Sequence, residues 1–346
     1  MPKQRKTGSN GGEATVRMGD VAKHLGVSKM TVSRALNKPG RVSATMRERV
    51  LSAVEEIGYL PNQLASSLSS NRSMIVGLIV PSIENSIYTS TVAGLSQIMR
   101  EAGCHVMIAE SNNSPDEEEK LVTAFLAHRV GGLVLHGTRH TERAIKLIRA
   151  SGVPVVENGN IPLDPLDMVV GFSNFDAAHA MTMHLGRLGY KHIALATLSS
   201  VNNDRAHDRV QGYRLALEEL GHSPDPRLII ECGRGVTAGA EMVSHLVETA
   251  PEVDALFCAG DVIALGALFE CQKRGWAVPE RLAIASFDDV EILRHVTPAI
   301  TTLRLPRGEI GVQSAMLLTS RMMGRADDAR GRVIKLNFEI IQRGST

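Results

Sequence analysis

The sequence predicts two folds in one chain: an all-α helix-turn-helix head, then an α/β body of two lobes. Three observations carry this. Residues 18–37 read as two short amphipathic helices around a glycine turn. From residue 74 onward, short apolar runs alternate with amphipathic helical stretches. The net charge of +1 also hides a split. Residues 1–72 hold 12 Lys and Arg against 5 Asp and Glu, a net of +7; the remainder holds 26 against 32, a net of −6. A basic head on an acidic body fits a nucleic-acid module joined to a body that phosphate repels.

The elements follow in order. Residues 1–15 carry Lys3, Arg5 and Lys6 and then a run of Gly, Ser and Asn. They lack apolar periodicity, so a disordered basic tail is expected. The head is expected over 16–61. Val21, Ala22 and Leu25 form one helical stripe, Gly26, Val27 and Ser28 turn the chain, and Val32, Ala35 and Leu36 form a second stripe. Ser43 is the expected N-cap of a third helix, whose face of Val50, Leu51, Val54 and Ile57 covers the first two. Over 62–73, Leu64, Ala65 and Leu68 share a helical face, but two turns are too short to hold alone in water. A hinge that becomes helical only when something organises it is expected there.

The body is expected over 74–346. Its apolar runs fall at 75–80, 106–109, 132–135, 153–156, 168–170, 193–196, 228–230, 255–258, 282–286 and 333–338. Most lack period-two alternation, so both faces are buried, as in parallel sheets. Helical stretches such as 92–101, 117–128, 177–188 and 210–220 lie between them. This βαβ rhythm predicts a doubly wound architecture. The strands are too many for one comfortable sheet, so two lobes are expected, with a ligand between them at the carboxyl ends of strands.

The second helix of the head exposes Ser28, Lys29, Met30, Ser33, Arg34 and Asn37. A short helix with small, polar and basic residues on its free face fits the major groove of B-DNA. Ser28 stands at its N-terminus, where free amides meet a phosphate. Lys29 suits guanine. Met30 suits a thymine methyl or the core of the head. Arg34 suits either a guanine or a phosphate. Thr31, Asn37, Arg41 and Ser43 suit phosphates.

Other classes find no support. There is no apolar run long enough to span a membrane and no signal-peptide core near Met1, so a cytoplasmic protein is expected. Cys104, Cys232, Cys258 and Cys271 are scattered and are expected to be free thiols, without a metal. GxSxG, GxxxxGK and HExxH motifs are missing, and residues 233–239 space their third glycine wrongly for a dinucleotide loop. Neither catalysis nor a cofactor is expected.

Several motifs then resemble one family across nearly the whole chain. They are Asp20-Val-Ala22, Gly26-Val-Ser28, Thr31-Val-Ser-Arg34 with Asn37, Val42-Ser43, Gly58-Tyr-Leu-Pro-Asn62 and the run 75–81. Arg209-Val-Gln-Gly-Tyr213, Asp261-Val-Ile-Ala-Leu-Gly266 and Thr301-Thr-Leu303 continue the pattern. Together they resemble the LacI/GalR family of bacterial repressors. Lys29-Met-Thr31 and the segments 170–178 and 269–275 resemble its gluconate-operon subgroup.

The resemblance implies a homodimer on palindromic operator DNA, with a periplasmic-binding-protein-like core that closes on a small effector. The subgroup implies gluconate; 2-ketogluconate or a sugar phosphate is the alternative. Asn62 joins the DNA-binding residues. Leu68 takes the hinge-leucine position, where a pair of leucines would wedge a base step from the minor groove. Arg209 matches the family's pocket arginine, suited to a carboxylate or to vicinal hydroxyls. Asp261 matches its pocket aspartate and is expected to take effector hydroxyls from the lobe opposite Arg209, while capping the helix it begins. Gly260 stands where the family commonly has Asn. Weaker effector candidates at strand ends are Ser82, Tyr88, Glu110, His136, Glu157, Ser173, Asn174 and Phe287. Glu157 fits an anionic effector only by taking hydroxyls or by pairing with a cation.

Overall fold

A computed structural model describes residues 16–37, 39–60, 73–324 and 331–346. The expected tail over 1–15, and Asn62, Leu68 and nearly all of the hinge, lie outside the described residues. The chain divides into two compact units, with the boundary between Ser73 and Met74.

The first unit holds α1 (Met18–Leu25), α2 (Lys29–Asn37) and α3 (Ala44–Glu56). Gly26, at φ 66°, closes α1 in the left-handed region that favours glycine. Ser28 starts α2 by accepting the Thr31 N–H at 3.1 Å. Ser43 caps α3 by accepting the Met46 N–H at 3.2 Å. Each hydroxyl satisfies an amide that a helix start leaves without a partner. Val21, Ala22, Val32, Ala35, Val50, Ala53 and Tyr59 form the core. Leu51 was expected on the covered face but is 43% exposed. It lies about 100° around the helix from Val50, off the stripe that Ala53, Val54 and Ile57 continue.

The second unit contains two six-stranded sheets. The first has β1 (Ile75–Val80), β2 (His105–Glu110), β3 (Gly132–His136), β4 (Val155–Asn158), β5 (Met168–Gly171) and β11 (Val333–Lys335), in the order β11-β5-β4-β3-β1-β2. The second has β6 (Ile193–Thr197), β7 (Ile229–Glu231), β8 (Ala255–Cys258), β9 (Ala283–Phe287), β10 (Thr301–Arg304) and β12 (Glu339–Ile341), in the order β12-β10-β9-β8-β6-β7. Every pairing is parallel except the antiparallel β10–β12. Strands β3, β4 and β5 are buried throughout, as their unbroken apolar runs require.

Helices α4 (Ile87–Glu101), α5 (Pro115–Ala127), α6 (Glu142–Ser151) and α11 (Arg307–Met322) cover the first sheet. Helices α7 (Asn174–Arg187), α8 (Asp204–Glu219), α9 (Val236–Thr249) and α10 (Asp261–Lys273) cover the second. Three helix pairs touch backbone to backbone, and between α7 and α8 a Cβ at Gly212 would come 2.2 Å from the Phe175 carbonyl oxygen. A Cβ at Gly311 would come 2.1 Å from the Thr91 carbonyl oxygen, and one at Gly266 would come 1.9 Å from that of Val236.

The chain crosses between lobes three times, at residues 172–173, 305–306 and 336–338. The last crossing corrects an expectation. Residues 333–338 were read as one strand, but the chain leaves the first sheet after Lys335 and joins the second at Glu339. Leu336 and Phe338 pack on the core in between, and an apolar run in a buried crossover has the same pattern as a buried strand. Strand β10 escaped the reading because Thr301 and Thr302 break its apolar run. Both threonines are fully buried, with hydroxyls bonded to Arg343 and Thr346 (Thr301) and to Ser286 and Asp288 (Thr302).

Candidate DNA-reading helix and effector cavity

Helix α2 presents the expected DNA face. Met30 is 61% exposed, which removes core packing as its role. Lys29, Arg34, Arg41 and Ser43 are exposed, Thr31 and Ser33 half-buried, and Asn37 is the last residue of the helix. Val32 and Ala35 between them are buried, so the helix is held by one face and leaves the other free. The Thr31 hydroxyl is 2.9 Å from that of Ser28, which ties the first turn together. Ser43 spends its hydroxyl on the α3 cap.

Between the lobes lies a cavity of about 270 Å³. The first lobe lines it with Ser82 after β1, Tyr88 on α4 and Asn113 after β2. The second lobe contributes Thr197, Asn203, Arg205, Arg209, Arg234 and Gly260. Both sets stand at or beyond strand carboxyl ends, where parallel sheets open their crevice.

Arg209 is the most constrained of these groups. It is only 9% exposed. Its Nε donates to Asn174 Oδ1 at 3.0 Å, and its Nη1 to the Ala259 carbonyl at 2.8 Å. Its guanidinium lies 3.8 Å over the Phe287 ring. Every one of these partners is neutral, and among the described residues no carboxylate pairs with it. Burial lowers its pKa to about 10, still far above neutrality. Arg209 is therefore a buried cation that no carboxylate touches among the described residues: Asp288 attracts it only from a distance and is already bonded to Arg307, so an anion in the cavity would complete it.

Arg307, equally buried, shows the opposite case: its Nε and Nη2 grip Asp288 at 2.7 and 2.9 Å. That pair sits beside the crossing segment, with Arg307 5.4 Å over the Phe172 ring.

The remaining candidates separate by placement. Ser82, Tyr88 and Arg209 border the cavity. Asn174 and Phe287 do not, but hold Arg209 from beneath. Asp261 is buried between Gly260 and Val262, which do border the cavity. Burial and nearby Asp288 push its carboxyl up to about 6. Arg209 and Asp261 were expected on opposite lobes, yet α8 and α10 belong to the same one. His136 lies behind Tyr88, its ring edge-on at 4.8 Å and its Nδ1 2.6 Å from Asn158 Oδ1. Burial, then Arg205 and Arg307, hold its pKa well below 6.5, so it is neutral.

Glu157 is 1% exposed and away from the cavity, accepting the Leu166 N–H at 2.6 Å and lying 3.4 Å from His140. Glu110 accepts from the Ile83 backbone at 3.3 Å, and Ser173 caps α7. His136 and His140 stand four residues apart but do not converge, because β3 ends at His136 and His140 turns to Glu118 at 2.5 Å. Sequence reasoning missed Arg205, Asn113, Asn160 and the Arg307–Asp288 pair. Arg205, one helical turn before Arg209, carried the only local signal.

Residues 17–62 match the model for bacterial regulatory proteins of the lacI family, and residues 182–346 match the periplasmic binding protein-like domain. The HTH-type transcriptional regulator GntR of Escherichia coli (strain K12) is 32% identical over 326 residues, covering 94% of this chain and 97% of that protein. The chain belongs to the LacI family. A LacI-family regulator from Silicibacter pomeroyi shares the fold with a TM-score of 0.88 and 31% identity, over 95% of this chain and 99% of that one. The lac repressor dimer bound to operator and the anti-inducer ONPF superposes with a TM-score of 0.81 and 26% identity, over 96% and 99% of the two chains. In this LacI-family chain, α1 and α2 belong to the DNA-binding helix-turn-helix, and the two-lobed unit is the effector-binding domain. The GntR likeness agrees with the gluconate-operon subgroup read from the sequence.

Proposed function

We propose that this LacI-family protein is a dimeric repressor of sugar-acid genes that leaves its operator when gluconate fills the interlobe cavity. The observation that carries the reading is the buried guanidinium of Arg209, which faces a cavity and has only neutral partners. A monoanion with several hydroxyls suits it. The carboxylate would take the two-pronged charge that Arg209 offers. Ser82, Asn113 and Asn203 on the cavity wall would take hydroxyls from both lobes.

On the DNA side, Lys29, Met30, Ser33 and Arg34 would read bases, and Ser28, Thr31, Asn37, Arg41 and Ser43 would contact phosphates. Asn62 and Leu68 would follow them into the minor groove. Two copies reading two half-sites supply the base pairs that one short helix cannot.

A phosphorylated sugar is the second reading. Arg234 borders the cavity and has no ion pair among the described residues, so it could take a second anionic group.

Calorimetry separates these readings. The parent should bind gluconate, and Arg209→Ala should weaken that binding about a hundredfold, or about 3 kcal/mol. Binding of a sugar phosphate in preference to gluconate would move the assignment to the second reading. Equal gluconate affinity in parent and variant would remove Arg209 from the site.

A further inference from the structure

From Arg209 a chain of hydrogen bonds leaves the cavity and crosses between the lobes. After Arg209 donates to Asn174 Oδ1, Asn174 Nδ2 donates to the Gly159 carbonyl at 2.9 Å and to Asn160 Oδ1 at 3.3 Å. Asn160 Nδ2 then donates to Asp208 at 2.8 Å and to Asp204 at 3.0 Å. Asp204 also accepts the Thr138 hydroxyl at 2.8 Å and pairs with Arg205 at 3.0 Å. Arg205 reaches back to Asn113 at 2.8 Å and to the His136 carbonyl at 3.3 Å. Asn113, Thr138 and Asn160 follow strands β2, β3 and β4 of the first lobe; Asn174 opens α7, and the charged residues open α8, in the second.

We propose that Asn160 is the residue that couples the effector anchor to closure of the lobes. It is a positioning residue and need not touch the effector. The proposal rests on the reading that an anion binds at Arg209. Three features support it. The donors along Arg209, Asn174 and Asn160 all run one way, from a guanidinium to two carboxylates, and such chains strengthen cooperatively. Asn160 is 4% exposed and Asn174 fully buried, so water does not replace a lost bond. The position needs an acceptor toward Asn174 and donors toward two carboxylates, which a primary amide supplies and a carboxylate does not.

Burial alone would raise the Asp204 pKa, but Arg205, Asn160 and Thr138 outweigh it and hold it low, so this acceptor stays ionised near neutrality. Asn160 stands in the first lobe and Asn174, Asp204 and Asp208 in the second, so opening the lobes would break these bonds, and they would favour the closed form. An effector that reinforces Arg209 thereby biases that equilibrium.

The test compares Asn160→Asp and Asn160→Ala in the full chain, with gluconate as the probe. The charged groups around the position are Asp204, Asp208 and Arg205 on α8 and Arg209 beyond Asn174, and the neutral His136 ring lies against Gly159. At pH 7.5 Asn160→Asp puts a third carboxylate beside two others, and gluconate binding should weaken about tenfold or more. At pH 5 the shared site takes up a proton, a donor returns, and the variant should come within about threefold of the parent. Asn160→Ala should lose affinity at both pH values, because nothing restores its donor.

A ligand-free arm reads amide hydrogen exchange over residues 138–141, relative to the parent at the same pH. Exchange should be faster in Asn160→Asp at pH 7.5 and parental at pH 5. Unchanged exchange at pH 7.5, or a loss in Asn160→Asp that ignores pH, overturns the coupling. If the exchange behaves as expected but gluconate does not bind the parent, the coupling stands and the gluconate reading falls.

Discussion

At the residue scale, the body carries buried charges in three different settings. Arg307 is matched by Asp288, Arg209 is unmatched, and Asp261 is raised. The first is structural, since breaking a buried pair leaves an uncompensated charge. The second borders the interlobe cavity, where the proposed effector would complete it. The third has a measurable consequence. The Asp261 carboxyl titrates near 6 in the fold, above its ordinary value, so the folded state holds the proton more tightly. This part of the stability is present while the carboxyl is protonated and is lost as pH rises from about 4 to about 6. Asp261→Asn stays neutral and keeps an oxygen for the α10 amides. Its melting temperature should exceed the parent's at pH 7.5, and the gap should narrow steadily down to pH 4. A gap independent of pH would mean that the Asp261 charge is not strained by burial.

At the scale of elements, His140 shows why loops near the cavity hold their shape. It ties α5, the loop after β3 and strand β4 together through Glu118 at 2.5 Å and Glu157 at 3.4 Å. Burial pulls its pKa down, but the two carboxylates outweigh burial and raise it to about 9. Its stabilisation is therefore complete below about pH 6.5 and lost as pH rises through 9. Melting curves of the parent should fall between pH 7 and pH 9.5. His140→Phe should flatten that dependence while costing about 3 to 5 kcal/mol at pH 7, because two buried carboxylates lose their cation. An unaltered slope in the variant would assign the pH dependence to other groups.

The elements also show what the sequence could reveal. Gly26, Ser28 and Ser43 announce helix ends by local chemistry, and the structure uses each where its residue type demands. Strand β1 is legible because an apolar run without alternation has few other uses. Strand-end candidates were less legible. Ser82 faces the cavity, but Glu157 and His136 face layers behind it, and pattern alone does not tell which way the last residue of a strand turns. Asn160, Arg205 and Asn113 were not legible at all. Their roles arise from the meeting of loops 44 or more residues apart along the chain, and no local spacing records that.

At the scale of the whole molecule, charge divides the labour. The net charge of +7 over residues 1–72 suits phosphate, and the −6 of the remainder repels it. Removing residues 1–73 should leave effector binding intact and abolish operator binding. Operator affinity of the full chain should fall steeply with salt, as counterion release requires. A truncated body that still retards operator DNA would contradict this division.

The central claim is that an anion held by Arg209 shifts the lobes and releases DNA. Fluorescence anisotropy tests it, on an operator fragment selected from random DNA with this protein and titrated with gluconate. The parent should lose at least about tenfold in operator affinity at saturation, which requires about 1.4 kcal/mol of preference for the released form. Arg209→Ala should bind the operator as the parent does without ligand and should not respond. Release of both proteins at the same gluconate concentration would contradict the account, as would a parent that gluconate leaves on the operator.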